Sequence, residues 1–292
     1  MTHQVGLELY SSTARAASGP VISRYSTSFG VATRLFPSRC RDDIRVVYAL
    51  VRIADEIVDG TAGEAGLDVA AQRQVLDDLE ADTERALVTG FSANLAVHAF
   101  ATTARRVGIT STLTRPFFAS MRCDLEPVVF DDHQYRSYIH GSAEVVGLMC
   151  LRTFLAGRDV PAEQVARLEA GAIRLGAAFQ KINFLRDLAD DGRRLKRAYF
   201  PGSAPGSIAD AGKAAVVAEI RADLAVARSV IPELPADCRR AVASATGLFG
   251  ELLRRLDRLP ASELLDRRVH VPTAVKVRIL LAACIAPGRV GR

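Results

Sequence analysis

Two short stretches carry carboxylates at a spacing that suits divalent-cation chemistry. The first reads Tyr48-Ala-Leu-Val-Arg52-Ile-Ala-Asp55-Glu56-Ile-Val-Asp59. On a helix, Tyr48, Arg52, Asp55 and Asp59 fall at i, i+4, i+7 and i+11 and share one face. Asp55 and Asp59 then stand about one turn apart, roughly 6 Å along the axis. Like charges so placed disfavour an isolated helix, and a divalent cation between them removes that cost. Mg²⁺ prefers hard oxygen ligands and takes one or two carboxylates together with substrate phosphates. Taken alone, such a pair is more often a solvated face with Arg52 answering Asp55.

The second stretch shifts that balance. It reads Gly176-Ala-Ala-Phe-Gln180-Lys-Ile-Asn183-Phe-Leu-Arg186-Asp187-Leu-Ala-Asp190-Asp191. Gln180, Asn183, Asp187 and Asp191 recur at i, i+3, i+7 and i+11 on an otherwise apolar helix. Such a polar stripe must be satisfied somewhere, either in a core polar network or by a ligand. Two helices that each carry the Asp-x-x-x-Asp spacing are better explained as facing metal-binding walls, a device common in bundle cores. Arg193, Arg194, Lys196 and Arg197 follow, then Tyr199. Some of these cations complement a helix C-terminus. Lys196, Arg197 and Tyr199 are the candidates to meet phosphate oxygens.

A third segment, Tyr138-Ile-His-Gly141-Ser-Ala-Glu-Val-Val-Gly147, places two glycines inside a helical pattern. Each costs roughly 1 kcal/mol against Ala, which predicts close approach by a neighbouring helix or a ligand. His140 and Glu144 on the same segment read as ordinary surface or ion-paired residues.

The elements that must hold these residues are helices throughout, because apolar residues recur at i, i+3, i+4 and i+7 and period-2 alternation is scarce. Ile44, Val47, Val51, Ala54 and Val58 form one stripe, with Asp42 and Asp43 suited to a first turn and Gly60 to a stop. Further helices are expected over 131–157, 161–191, 68–89, 92–107, 210–230, 236–257 and 272–285. The breaks at 60–66 and 201–206 are too short to be domain linkers. The expectation is one all-α domain over 1–292, with its core at about 20–286.

Composition bounds the possibilities. The chain has 292 residues, 49% hydrophobic and 24% charged, enough for a sizeable core. Its net charge of +5 favours anionic partners. Nucleic acid fits poorly, since Trp is absent and aromatic residues make up 6% with no recognisable binding motif. The five cysteines are scattered with no CxxC pair, against a disulfide framework or a thiolate zinc site. No secretory pattern or long apolar run is visible, so the cytoplasm is the expected compartment.

In these motifs the chain resembles the squalene/phytoene synthases, most nearly their bacterial, actinobacterial-type phytoene synthases. The resemblance runs from Tyr25-Ser26-Thr27-Ser28-Phe29 to Arg267-Arg268-Val-His-Val-Pro272 and takes in both aspartate-rich stretches, the Tyr138 segment and Arg197-Ala-Tyr199-Phe-Pro201. It implies an isoprenoid-synthase helical bundle around a central cavity and a head-to-head (1′–1) condensation of two allylic diphosphates. It further implies Mg²⁺, with Mn²⁺ as an alternative, on Asp55, Asp59, Asn183, Asp187 and Asp191. Substrate contacts are implied for Ser26, Ser28, Phe29, Arg52, Gln180, Asn183, Lys196, Arg197, Tyr199 and Arg268. Tyr48 and Tyr138 would line the reaction zone. The first stretch is DExxD where DDxxD is the pattern, Thr27 replaces a residue that is basic in some relatives, and Phe249 stands where many have Tyr.

For chain length, small Thr33 one turn after Phe29 argues for a channel open to C20 tails. That favours phytoene synthesis from two geranylgeranyl diphosphates through prephytoene diphosphate, without NADPH. The alternative is squalene or dehydrosqualene synthesis from two farnesyl diphosphates. A terpene cyclase and an inactive helical scaffold fit less well, since both Asp pairs and the Arg267–Pro272 pattern survive. Insoluble products imply peripheral association with the cytoplasmic membrane and contact with downstream carotenoid enzymes.

Overall fold

Helical periodicity governs the chain from end to end. In the computed structural model the described residues are 6–25, 28–126, 129–190, 198–204 and 207–285, without the side chains of 28, 29, 31, 189, 190, 284 and 285. Fourteen α-helices occur among them: α1 (Leu7–Tyr25), α2 (Ser28–Thr33), α3 (Ser38–Val58), α4 (Thr61–Glu64), α5 (Val69–Thr89), α6 (Leu95–Val107) and α7 (Ser111–Cys123), then α8 (Asp132–Ile139), α9 (Val145–Leu155), α10 (Ala162–Asp190), α11 (Asp210–Val230), α12 (Ala236–Arg258), α13 (Ala261–Leu264) and α14 (Thr273–Ile285). The expected all-α class is what the protein has; a lone parallel bridge, Val129 to Ala198, is the strand-like pairing among the described residues.

Local chemistry sets many of the ends. Asp131 and Gln134 form a capping box at the start of α8. Asn94 accepts from the backbone N–H groups of Ala96 and Val97 at the start of α6. Gly60 follows α3 at φ 117°, a left-handed conformation that costs glycine little.

Three features depart from the sequence expectation. First, α3 begins at Ser38, so Asp43 is not in its first turn. Asp43 is instead 1% exposed and meets Arg15 of α1 at 3.4 Å and Arg106 of α6, joining three helices. Second, α1 and α7 occupy stretches for which no helix is expected; Ala14, Ser18 and Ile22 bury α1, while Phe117 and Phe118 carry α7 into the core. Third, the helix expected over 131–157 is α8 and α9 joined by a π-helical turn, His140–Glu144.

The glycines answer the close-approach expectation. A Cβ on Gly141 would strike the Pro116 carbonyl and Ser120 of α7. One on Gly147 would strike the Ala172 carbonyl of α10, and one on Gly176 the Ala143 carbonyl of the π turn. Backbone thus meets backbone where α9 crosses α10. Side chains of α3, the α8–α9 rod, α10, α11 and α12 surround a cavity of about 1020 Å³.

Candidate active site

Both aspartate-rich helices face this cavity. From α3 come Tyr48, Arg52, Asp55 and Asp59, and from α10 come Gln180, Asn183 and Asp187. Tyr138, Tyr199 and Arg268 complete the polar end. The i, i+4 and i, i+3 spacings are therefore realised as two walls of one chamber. Ser26, Asp191, Lys196 and Arg197 lie outside the described residues; Ser28 and Phe29 belong to α2 with their side chains outside them.

The two walls differ electrostatically. Burial, and after it the Asp59 charge, pushes the Asp55 carboxyl well above the usual carboxylate range. Arg52 opposes this from 3.8 Å, while also pairing with Glu56 and lying 4.5 Å over the Tyr25 ring. Burial works against the Arg52 charge, but Asp55 and Glu56 more than offset it and raise its pKa. On the opposite wall Asp187 is already answered by cations. Arg186 Nε donates to it at 2.9 Å, and Arg268 Nε forms an ion pair with it at 2.8 Å, reaching in from beyond α13.

The donor set suits a hard cation shared with a ligand. Asn183 Oδ1 is buried on the cavity wall with no hydrogen-bond partner, an oxygen left over for something else to meet. Among the described residues no three acidic, His or Cys side chains converge closely enough to hold an ion alone. Carboxylate and amide oxygens of this kind are the hard donors that Mg²⁺ prefers, with its remaining ligands often drawn from substrate phosphates and water.

Tyr138 anchors an aromatic wall. Its hydroxyl lies 2.9 and 2.8 Å from the two carboxylate oxygens of Asp124 and donates to them. Phe184 and Tyr199 stack at 3.8 Å beside it, and Phe130 lies 4.9 Å from the Tyr138 ring. Much of the rest of the lining is apolar, including stacked Phe36 and Phe154 with Leu151, Leu168 and Val242.

Thr33 does not play the part expected of it. It is 2% exposed and its hydroxyl folds back onto the Gly30 carbonyl at 2.8 Å, so Ala32 and Phe36 line the cavity in its place. Phe249 stacks on Phe179 at 3.8 Å, an apolar contact that leaves no hydroxyl at that position. His140 and Glu144 pair with each other at 2.9 Å, as ordinary partners would. The sequence reading missed Asp124, Arg186 and Tyr25 as site residues. Arg186 and Tyr25 stood inside the quoted motifs, whereas Asp124 lies at the end of α7 with no acidic partner at helical spacing.

An apolar chamber with paired carboxylates and arginines at one end defines a prenyltransferase-type enzyme. The profile of the squalene/phytoene synthase family matches residues 22–274, and the chain belongs to that family. It is 29% identical over 278 residues to the 15-cis-phytoene synthase of Paracoccus sp. strain N81106, covering 89% of this chain and 87% of that one. It is 29% identical over 289 residues to the phytoene synthase of Pseudescherichia vulneris, covering 91% and 89%. Among solved structures, a dehydrosqualene synthase bound to a ligand superposes with a TM-score of 0.76 at 21% identity, covering 95% of this chain and 97% of that one. A squalene synthase from Alicyclobacillus acidocaldarius gives 0.70 at 20% identity, covering 86% and 97%. The isoprenoid-synthase helical fold is common to them.

Proposed function

We propose that the protein condenses two geranylgeranyl diphosphates head to head, through prephytoene diphosphate, to phytoene. The observation that carries a diphosphate condensation is the pair of carboxylate-bearing helices facing across one chamber that is apolar beyond them. The choice of C20 substrates rests on the relatives whose names specify phytoene synthesis.

Arg52 and Arg268, with Lys196 and Arg197 assigned by motif, hold the diphosphates by charge-assisted hydrogen bonds. Asp55, Asp59, Asn183, Asp187 and Asp191 would hold Mg²⁺, or Mn²⁺ in its place, which supplies positive charge to the departing diphosphate oxygens. Arg186 and Arg268 orient the Asp187 carboxylate. The Tyr138 hydroxyl, fixed by Asp124, is a polar group within an aromatic wall whose ring faces suit allylic cations. The apolar chamber excludes water that would otherwise quench those cations. Gln180 and Tyr48 position the diphosphate end from their respective helices.

No helix among the described residues is long and apolar enough to cross a membrane. A hydrocarbon product still needs an apolar sink, which supports work at a membrane surface and hand-over to downstream carotenoid enzymes.

The test is incubation of purified protein with Mg²⁺ and geranylgeranyl diphosphate or, separately, farnesyl diphosphate, with mass analysis of the hexane extract. A C40 hydrocarbon from the first supports the proposal. A C30 hydrocarbon from the second alone moves the assignment to squalene or dehydrosqualene synthesis, and no hydrocarbon from either refutes condensation.

A further inference from the structure

Helices α3 and α12 begin alike. Pro37 precedes Ser38-Arg39-Cys40, and Pro235 precedes Ala236-Asp237-Cys238, so each helix carries a cysteine in its third position. The two N-termini meet, with Cys40 Sγ 3.7 Å from Cys238 Sγ. The cysteines are 198 residues apart in sequence and both are 0% exposed. The cover above them is thin. Arg39 and Asp237, a pair at 2.9 Å, keep 38% and 36% of their side-chain surface exposed, and Arg39 Nη2 reaches within 4.0 Å of Cys238 Sγ. Arg158 closes the same cluster, 2.8 Å from Asp237.

We propose that Cys40 and Cys238 are a reversible oxidation site, converted by hydrogen peroxide to a disulfide that ties α3 to α12. Helix N-termini and neighbouring arginines favour a thiolate, and both are present here. The Cys238 hydrogen bond holds the Cys40 thiol below the usual range against the effect of burial, while the same contact and burial push Cys238 up. Either sulfur can attack and the other resolve, and the balance is the same both ways.

The chemistry balances with peroxide as oxidant. In the route through Cys40, its sulfur attacks one peroxide oxygen, the O–O bond breaks, the leaving hydroxide takes the proton of the thiol and departs as water, and a sulfenic acid remains. Cys238 sulfur then displaces the sulfenic oxygen as a second water, and its own proton goes with that oxygen. Two thiols are oxidised to one disulfide and one peroxide is reduced to two waters. The sulfurs close from 3.7 Å to about 2.05 Å, a shift of roughly 1.7 Å.

Cys40 and Cys238 belong to the same core cluster as Phe36, Phe154, Leu234 and Val242, all four of which line the cavity. Closing the bond draws together the starts of two helices that contribute to the cavity wall. Cys150 supplies an internal control. Burial in the cavity wall pushes its thiol up to about 12, and among the described residues the sulfur–sulfur contact is that of Cys40 with Cys238.

The test is peroxide treatment of the full chain carrying Cys123→Ser, which removes an exposed thiol. Alkylation and peptide mapping follow, with thermal melting in parallel. The expected result is a peptide pair linking positions 40 and 238, lighter by two hydrogens and restored by dithiothreitol. The expected melting midpoint rises by roughly 5–15 °C, as for closure of a long loop. Recovery of both cysteines as alkylatable thiols, or as separate sulfinic acids, overturns the proposal. Cys238→Ala must abolish the link, and if that variant does not fold, the parent mapping decides alone.

Discussion

The Tyr138 hydroxyl bridges both oxygens of the Asp124 carboxylate, at 2.9 and 2.8 Å, across the joint between α7 and α8. Asp124 is 8% exposed, so the bond compensates a carboxylate withdrawn from water, and it fixes the phenol where it borders the cavity. Tyr138→Phe should cost about 1–3 kcal/mol in denaturant unfolding, because it strips a donor from a buried charge. It should also lower kcat on the isoprenoid diphosphate proposed as substrate. Asp124→Asn keeps an acceptor and should cost less stability, so equal losses in the two variants would show that this bond does not matter.

Asp55→Asn and Asp187→Asn test the two walls separately. Each should lower turnover at least about a hundredfold, in line with loss of one preorganised electrostatic contact. Circular dichroism should be unchanged in both. Their stabilities should diverge, however. Asp55 is strained by burial and by Asp59, so Asn should leave the fold as stable as before or more so. Asp187 holds Arg186 and Arg268, so Asn should release two cations and lower the melting midpoint.

His98 gives a pH dependence with a definite sign. Its ring is fully buried, accepting at Nδ1 from the Ser92 N–H at 3.4 Å and meeting Ser11 Oγ through Nε2 at 2.8 Å. The first contact asks for an unprotonated Nδ1, and burial lowers the pKa below its ordinary 6.5. The unfolded chain therefore takes up this proton first as pH falls. Stability should be flat above about 6.5, decline below it, and stop declining once the folded ring also titrates. Unfolding by urea between pH 5 and 8 should show that slope, and His98→Gln should flatten it.

Gly176→Ala should destabilise the protein by about 1–3 kcal/mol, as an overpacked core position does. The added methyl collides with the Ala143 carbonyl, which is backbone and has no rotamer to escape into. Denaturant midpoints of the Ala and Ser variants would check this, with Gly212→Ala as a surface-helix comparison, where the nearest atom is a side-chain carbon of Ile208 at 3.4 Å.

What could be seen in the sequence depended on whether a residue's neighbours were local. Gln180, Asn183 and Asp187 announced themselves because a single helix face carried all three among apolar residues. The limits of α5, α10, α11 and α12 were legible to within a residue or two for the same reason. Helix α7 was not, because Pro116 sits inside it and proline reads as a break. Helix α1 was missed because its buried stripe consists of Ala14, Ser18 and Ile22, of which only isoleucine is strongly apolar. Asp124 and Asp43 drew meaning only from partners 14 to 63 positions away. Thr33 failed for a subtler reason, since a small hydroxyl at a helix end can satisfy itself on its own backbone instead of opening space.

The interlock of Gly147 and Gly176 with facing carbonyls also bears on how this catalyst can diversify. Where two helices touch through main chain there is no side chain to trim, and substitution can only add bulk. The stretch of chamber wall that these two glycines line is thus mutationally frozen. Change in the chamber's shape falls instead to side chains such as Phe36 and Phe154, whose truncation would remove volume without moving a wall.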